Sequence, residues 1–139
     1  MTPSTFVQKN LYKGRIPRAW VRIRLTTLDG TSHEREMLAD TGCPCALILG
    51  TADLNLFAHS GAVGVNSNFG PLAGGWMELQ MPEVALIQPI LGYGSDLVAQ
   101  TVGRNSSDFS GLVGLPLLQL LEYGGDKDCF WVRPAATTP

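Results

Sequence analysis

At 139 residues, with 45% hydrophobic and 16% charged side chains, the chain can bury a core as one domain and is too apolar to be disordered. A formal net charge of −2 leaves no basic field to hold nucleic acid. No stretch approaches the about 18 uninterrupted apolar residues of a membrane span, so neither nucleic acid nor a membrane is an expected partner.

Residues 1–14 read as an N-terminal arm without the apolar stretch of a secretion signal. Three cysteines, an odd number without a disulfide-framework spacing, fit reduced thiols and a cytoplasmic setting. Lys9, Lys13, Arg15, Arg18, Arg22, Arg24 and Arg35 bunch early in the chain. Aromatic residues are not interleaved with them as single-strand binding would need, so they read as a mildly basic edge.

Strong alternation starts at AWVRIRLTTL (19–28), with Trp20, Arg22 and Arg24 on one face and Val21, Ile23 and Leu25 on the other. That predicts a half-buried strand. Asp29-Gly30 is a hairpin dipeptide, and HEREMLAD (33–40) returns as the partner strand, ending on Asp40. CALIL (45–49) predicts a short third strand.

GAVGVNSNFGPLAGG (61–75) has the glycine and asparagine content of a mobile loop or long hairpin tip. It holds no phosphate-cradling pattern. Residues 76–94 are apolar and interrupted by Pro82 and Pro89, which suit strand starts or edges. LVAQTVG (97–103) is read as a further strand. One short helix is expected, opened by Pro116, with Leu117, Leu118, Leu120 and Leu121 facing the core and Gly124-Gly125 ending it. DCFWVRP (128–134) closes as a final strand, and 134–139 reads as a flexible tail. The sum is a mostly β, single-domain barrel or sandwich.

MLADTGCPCALILG (37–50) places a carboxylate inside an apolar run, where an unsatisfied charge is costly. Asp40 could end a strand in a turn, ligate a metal beside Cys43 and Cys45, or act as a catalytic acid. A structural zinc site asks for four ligands at wider spacings, and only Cys129, His33 and His59 could complete one. No metal or cofactor is expected. Redox use lacks C-x-x-C spacing, and small apolar packing is the plain reading of the two thiols. His33 and His59 read as surface residues.

Asp40-Thr41-Gly42, entered from apolar residues, resembles the catalytic triplet of aspartic proteases. SGLVGLPLL (110–118), two bulky apolar residues and a glycine before a short helix, resembles the family's second signature. The order of elements over about residues 15–133 is similar to that of single-domain, retroviral-type (retropepsin-like) members, including cellular and bacterial relatives. The resemblance implies an acid-protease barrel closed by homodimerisation, with Leu112-Val113-Gly114 passing through the loop that carries Asp40. It implies an aspartic endopeptidase acting on an extended peptide. Asp40 would be general base in one subunit and general acid in the other, since the chain has one such triplet and two close carboxyls share one proton. Thr41 would buttress the partner's loop, and Gly42 would allow a tight turn and close substrate approach. Gly61–Gly75 would be the flap, with Phe69, Leu72 and Trp76 as its apolar contacts. Cys43, Leu112 and Val113 would line the substrate site, and Trp131 and Val132 would enter an intersubunit sheet.

The chain departs from the retroviral pattern at Cys43, where Ala, Ser or Thr is usual, and at Pro44 and Leu115, where an acid and an arginine pair. Losing both partners leaves no orphan charge and implies an altered subsite. The rival readings are a catalytically inactive peptide-binding module on this scaffold and a thiol or metal protein built on Cys43-Pro44-Cys45.

Overall fold

A computed structural model describes residues 6–136. Its strands are β1 (Gln8–Leu11), β2 (Trp20–Thr26), β3 (Ser32–Asp40), β4 (Leu47–Leu49), β5 (Ser60–Ser67), β6 (Gly70–Met81), β7 (Leu86–Gly94), β8 (Phe109–Gly114), β9 (Leu121–Gly125) and β10 (Cys129–Pro134). The helices are α1 (Thr51–Phe57), α2 (Asp96–Asn105) and α3 (Leu115–Leu118), with a 3-10 turn at Pro82–Val84.

The strands β2-β3-β8-β4-β7-β6 run side by side, and β2 pairs with β6 through Arg24–Gln80, Leu25–Leu79 and Thr26–Glu78, closing a six-stranded barrel. Closure removes sheet edges that would otherwise invite pairing with other chains. The alternation read from β2 holds: Val21, Ile23 and Leu25 are fully buried or nearly so. They share the barrel interior with Met37, Leu47, Leu49, Met77, Leu79, Met81 and Val113. Thr27 and Thr31 close the β2–β3 hairpin around Asp29-Gly30, the Thr27 amide donating to the Thr31 carbonyl at 2.8 Å.

Pro89 lies in β7 opposite Glu78, whereas β4 pairs with β7 only over Gly92–Gly94. The proline therefore falls on the free stretch of that strand's edge, where a missing N–H costs no ladder bond. Pro82 opens the 3-10 turn.

A second sheet, β1-β10-β9, adds Leu121, Phe130 and Val132 to the same core. It places Gln8–Leu11 of the expected arm in a strand beside β10. Gln8 Nε2 donates to the Arg22 carbonyl at 2.9 Å, the Arg22 amide donates to Gln8 Oε1 at 2.7 Å, and Asn10 Nδ2 donates to the Trp20 carbonyl at 3.1 Å. These buried amide side chains stand in for a neighbouring strand along the start of β2. β10 is flanked on both sides by strands of its own chain, so Trp131 and Val132 have no free backbone edge for an intersubunit sheet. At the other end, Pro134 belongs to β10 and the Ala136 amide donates to Glu122 at 3.1 Å. The rest of the expected tail, 137–139, lies outside the described residues, as does 1–5 of the arm.

LVAQTVG is helical, not extended. Ser95 caps α2, its hydroxyl accepting from the Val98 amide at 3.2 Å, and Asp96 sits in the first turn. Val98 and Val102, four residues apart, supply the buried stripe. In α1 the same logic buries Leu54 and Phe57. The helix opened near Pro116 exists but is a single turn, and Leu121 has already passed into β9. A second core of Trp20, Cys43, Ile48, Leu72, Tyr93, Val98, Val102, Phe109 and Leu112 forms where α2 packs on β8 and β4.

Candidate functional site

Asp40 is the last residue of β3, and the chain turns at once: the Cys43 amide donates to the Asp40 carbonyl at 3.1 Å. The carboxylate is aimed by its own loop, since Oδ1 accepts the Gly42 amide at 2.9 Å. Asp40 is half-buried, whereas Thr41 and Gly42 are exposed. Thr41 forms no side-chain hydrogen bond among the described residues.

β8 lies between β3 and β4, parallel to the first and antiparallel to the second. The loop 41–46 therefore arches over β8. The Gly114 amide donates to the Ala46 carbonyl and the Leu115 amide to the Cys43 carbonyl, both at 3.0 Å. These bonds fix the loop that positions Asp40, so Leu112-Val113-Gly114 does pass beneath it.

The β5–β6 hairpin turns at Asn68-Phe69, where the Ser67 hydroxyl accepts the Phe69 amide at 3.0 Å and donates to the Gly70 carbonyl at 2.9 Å. It stands over Asp40. The glycine-rich stretch is thus two paired strands with a tight tip, not an irregular loop. Between hairpin and floor is a cleft of about 700 Å³, lined by Asp40, Gly42, Cys43, Ile48, Tyr93, Leu112 and the hairpin residues Val65–Phe69. A second cavity of about 320 Å³ is lined by Ile16, Arg18, Leu38, Val98, Val102 and Asn105. Asp40, Phe69 and Leu112 line both, so one groove crosses the aspartate.

The expected site residues separate on this geometry. Asp40, Gly42, Cys43, Phe69 and Leu112 meet at the groove. Val113 points into the barrel and Leu72 into the second core, each out of reach of a ligand. Trp76 lines a different depression, about 340 Å³, with His59, Ile87 and Pro89. Leu72 and Trp76, four apart, share the face of β6 opposite Met77, Leu79 and Met81; the second core covers that face at Leu72 and leaves it open at Trp76. The α2 wall of the groove was missed because its residues were assigned to a strand. The signal was present in Ser95-Asp96 as a cap and in the Val98/Val102 spacing.

The remaining carboxylates near these elements serve structure. Asp96 accepts the Thr51 amide and hydroxyl, holding its pKa below the ordinary value and tying α2 to the start of α1. Asp108 pairs with Lys13 at 3.3 Å. Among the described residues, Asp40 is the only carboxyl group lining either cavity.

Burial pushes the Cys43 and Cys45 thiols up from their ordinary range. Cys43 Sγ donates to the Cys45 carbonyl at 3.5 Å, so this thiol packs and braces the loop. Among the described residues no three His, Cys, Asp or Glu side chains converge to hold a metal ion. No helix among them is long and apolar enough to cross a membrane. His59 is exposed, with its ring nitrogen 2.7 Å from the Thr26 carbonyl, and His33 lies half-buried against the Phe57 ring.

In comparisons with known proteins, no family model, no curated protein and no solved structure matches the chain. What fold and site define is a closed six-stranded barrel with a groove that crosses one aspartate beneath a β-hairpin.

Proposed function

We propose that the chain is an aspartic endopeptidase of the retroviral type, active as a homodimer. The observation that carries this reading is that, among the described residues, Asp40 is the one carboxyl group lining a groove that runs to both sides of it beneath a β-hairpin. A lone carboxylate can take a proton from water but cannot at the same time protonate the carbonyl it attacks. A second copy supplies the partner. With the two Asp40 carboxyls sharing one proton, the ionised one removes a proton from water and the protonated one donates to the scissile carbonyl oxygen. The resulting tetrahedral diol collapses as its C–N bond breaks: the carboxyl that took water's proton gives it to the amine nitrogen, and the other carboxylate takes one back from a diol hydroxyl.

Thr41, exposed and without a side-chain hydrogen bond among the described residues, supports this assembly, because its hydroxyl can meet the other copy's loop. Since β10 has no open edge, dimerisation would use the loop 41–42 and not an intersubunit sheet through β10. The free thiols suit a reducing, cytoplasmic setting.

The test is Asp40→Asn, which keeps the bond from the Gly42 amide and removes the acid. Hydrolysis of a peptide library should fall by about a thousandfold or more. Wild-type rates at low enzyme should rise with the square of chain concentration. Full activity in Asp40→Asn would end the proposal. A second reading, a peptide-binding module without catalysis, is favoured by the single carboxyl group that the described residues of one chain bring to the groove. A chain that stays monomeric, binds peptide and never cleaves it would select that reading.

A further inference from the structure

We propose that the groove selects peptides carrying an acidic side chain on the α2 side of the scissile bond, through Arg15, Arg18 and Arg104. The inference rests on the peptide-groove reading above. Arg18 lines the same cavity as Asp40. That cavity shares Ile16, Thr101 and Asn105 with an adjoining one of about 320 Å³ lined also by Arg15 and Arg104. A strand leaving Asp40 in this direction therefore meets Ile16, Leu38, Val98 and Val102 together with Arg18, and then Arg15 and Arg104.

These arginines differ from most of the other early cations, Lys9 aside. Lys13, Arg22, Arg24 and Arg35 are each paired with a carboxylate of the barrel surface, and Arg133 with Glu122. Among the described residues no carboxylate lies within salt-bridge distance of Arg15, Arg18 or Arg104. Three unneutralised guanidinium groups on a chain of net charge −2 make a local positive field, not a general one.

The segment bearing two of them is built, not loose. Lys13 and Arg18 close it by a reciprocal pair of backbone bonds, at 3.3 and 2.9 Å. Asn105 then holds it from α2: its Oδ1 accepts the Ile16 amide at 2.8 Å, its Nδ2 donates to the Ile16 carbonyl at 3.0 Å, and its own carbonyl accepts the Arg15 amide at 2.8 Å. Gly14 adopts φ 113° to bring the segment against Asn105, and a Cβ there would lie 2.3 Å from Nδ2. A pinned backbone lowers the ordering cost when the side chains take a carboxylate. Continuity with the Asp40 cleft and the lack of interleaved aromatics favour an acidic peptide over nucleic acid.

The experiment uses the full chain and two measurements. A peptide library with Glu, Gln and Lys at each position is digested, and binding of fluorescent Glu- and Gln-containing peptides to Asp40→Asn is measured at low and high salt. One Arg–carboxylate contact should favour Glu over Gln by about five-fold, and the preference should shrink as salt rises. Arg15→Gln/Arg18→Gln/Arg104→Gln should abolish the preference, whereas Arg133→Gln, which removes one positive charge away from the groove, should retain it. Cleavage or binding indifferent to Glu overturns the inference and leaves the peptidase reading standing. Absent cleavage with a retained Glu preference in binding does the reverse. Tighter binding of a single-stranded oligonucleotide than of the acidic peptide also overturns it.

Discussion

Asp40 and Gly114 stand opposite each other in neighbouring parallel strands, and the space Gly114 leaves empty is occupied by the loop that follows Asp40. A Cβ on Gly114 would lie 1.9 Å from the Cys45 carbonyl oxygen and 2.6 Å from that of Cys43. Both obstacles are backbone and cannot swing aside. Gly114→Ala must therefore push the loop off β8, breaking the bonds to Cys43 and Ala46 and displacing the carboxylate. Chemical denaturation should show a loss of about 3 kcal/mol, or no folded protein at all. A midpoint equal to wild type would mean that the loop does not cross β8 as described.

The hairpin tip and the far end of the same hairpin make a paired prediction. Phe69 is exposed and lines both halves of the groove, so it has much to gain by covering a bound peptide. Phe69→Ala should raise KM for an apolar peptide about tenfold, from roughly 1.5 kcal/mol of lost burial, with stability changed by less than about 0.5 kcal/mol. Trp76 is as exposed but faces another depression. Trp76→Ala should leave KM within about twofold of wild type. Equal effects from the two substitutions would contradict the assignment of the groove.

The β2–β3 turn carries a pH dependence. The hydrogen bond from the Thr27 hydroxyl, aided by the Thr31 amide, lowers the Asp29 pKa from 3.8 to about 2. A carboxylate whose folded pKa is depressed stabilises the fold above its unfolded pKa and loses that contribution as pH falls toward the folded one. The window is therefore about pH 4 down to about pH 2. Asp29→Asn keeps an acceptor for Thr27 and cannot titrate. Its drop in Tm across that window should be smaller than that of wild type. A remainder is expected, since Asp96, Glu122 and Asp126 are lowered in the same sense by their own hydrogen bonds. Identical drops in the two proteins would remove Asp29 from the account.

Much of the barrel was legible because its evidence is local. Val21, Ile23 and Leu25 alternate with Arg22 and Arg24 whatever the rest of the chain does, and Asp29-Gly30 marks its own hairpin. Asp40-Thr41-Gly42 and Leu112-Val113-Gly114 could likewise be picked out as short strings. Residues 97–103 were misread because two valines four apart also sit among residues that suit a strand. The cap at Ser95-Asp96, which decides for a helix, lies just outside that window.

What the sequence alone determined was the β class of the chain, the hairpin bearing Asp40 and the identity of the loop that turns after it. These follow from side-chain period and turn chemistry, which act over a few residues. Tertiary structure alone decided that β8 inserts between β3 and β4, that Gln8 and Asn10 stand in for a strand beside β2, and that Phe69 but not Trp76 covers the aspartate. It also brought Arg15 and Ile16 against α2, some ninety positions later, through the three bonds of Asn105. Such contacts depend on how the chain closes on itself, and no local period records which distant backbone will supply a missing partner.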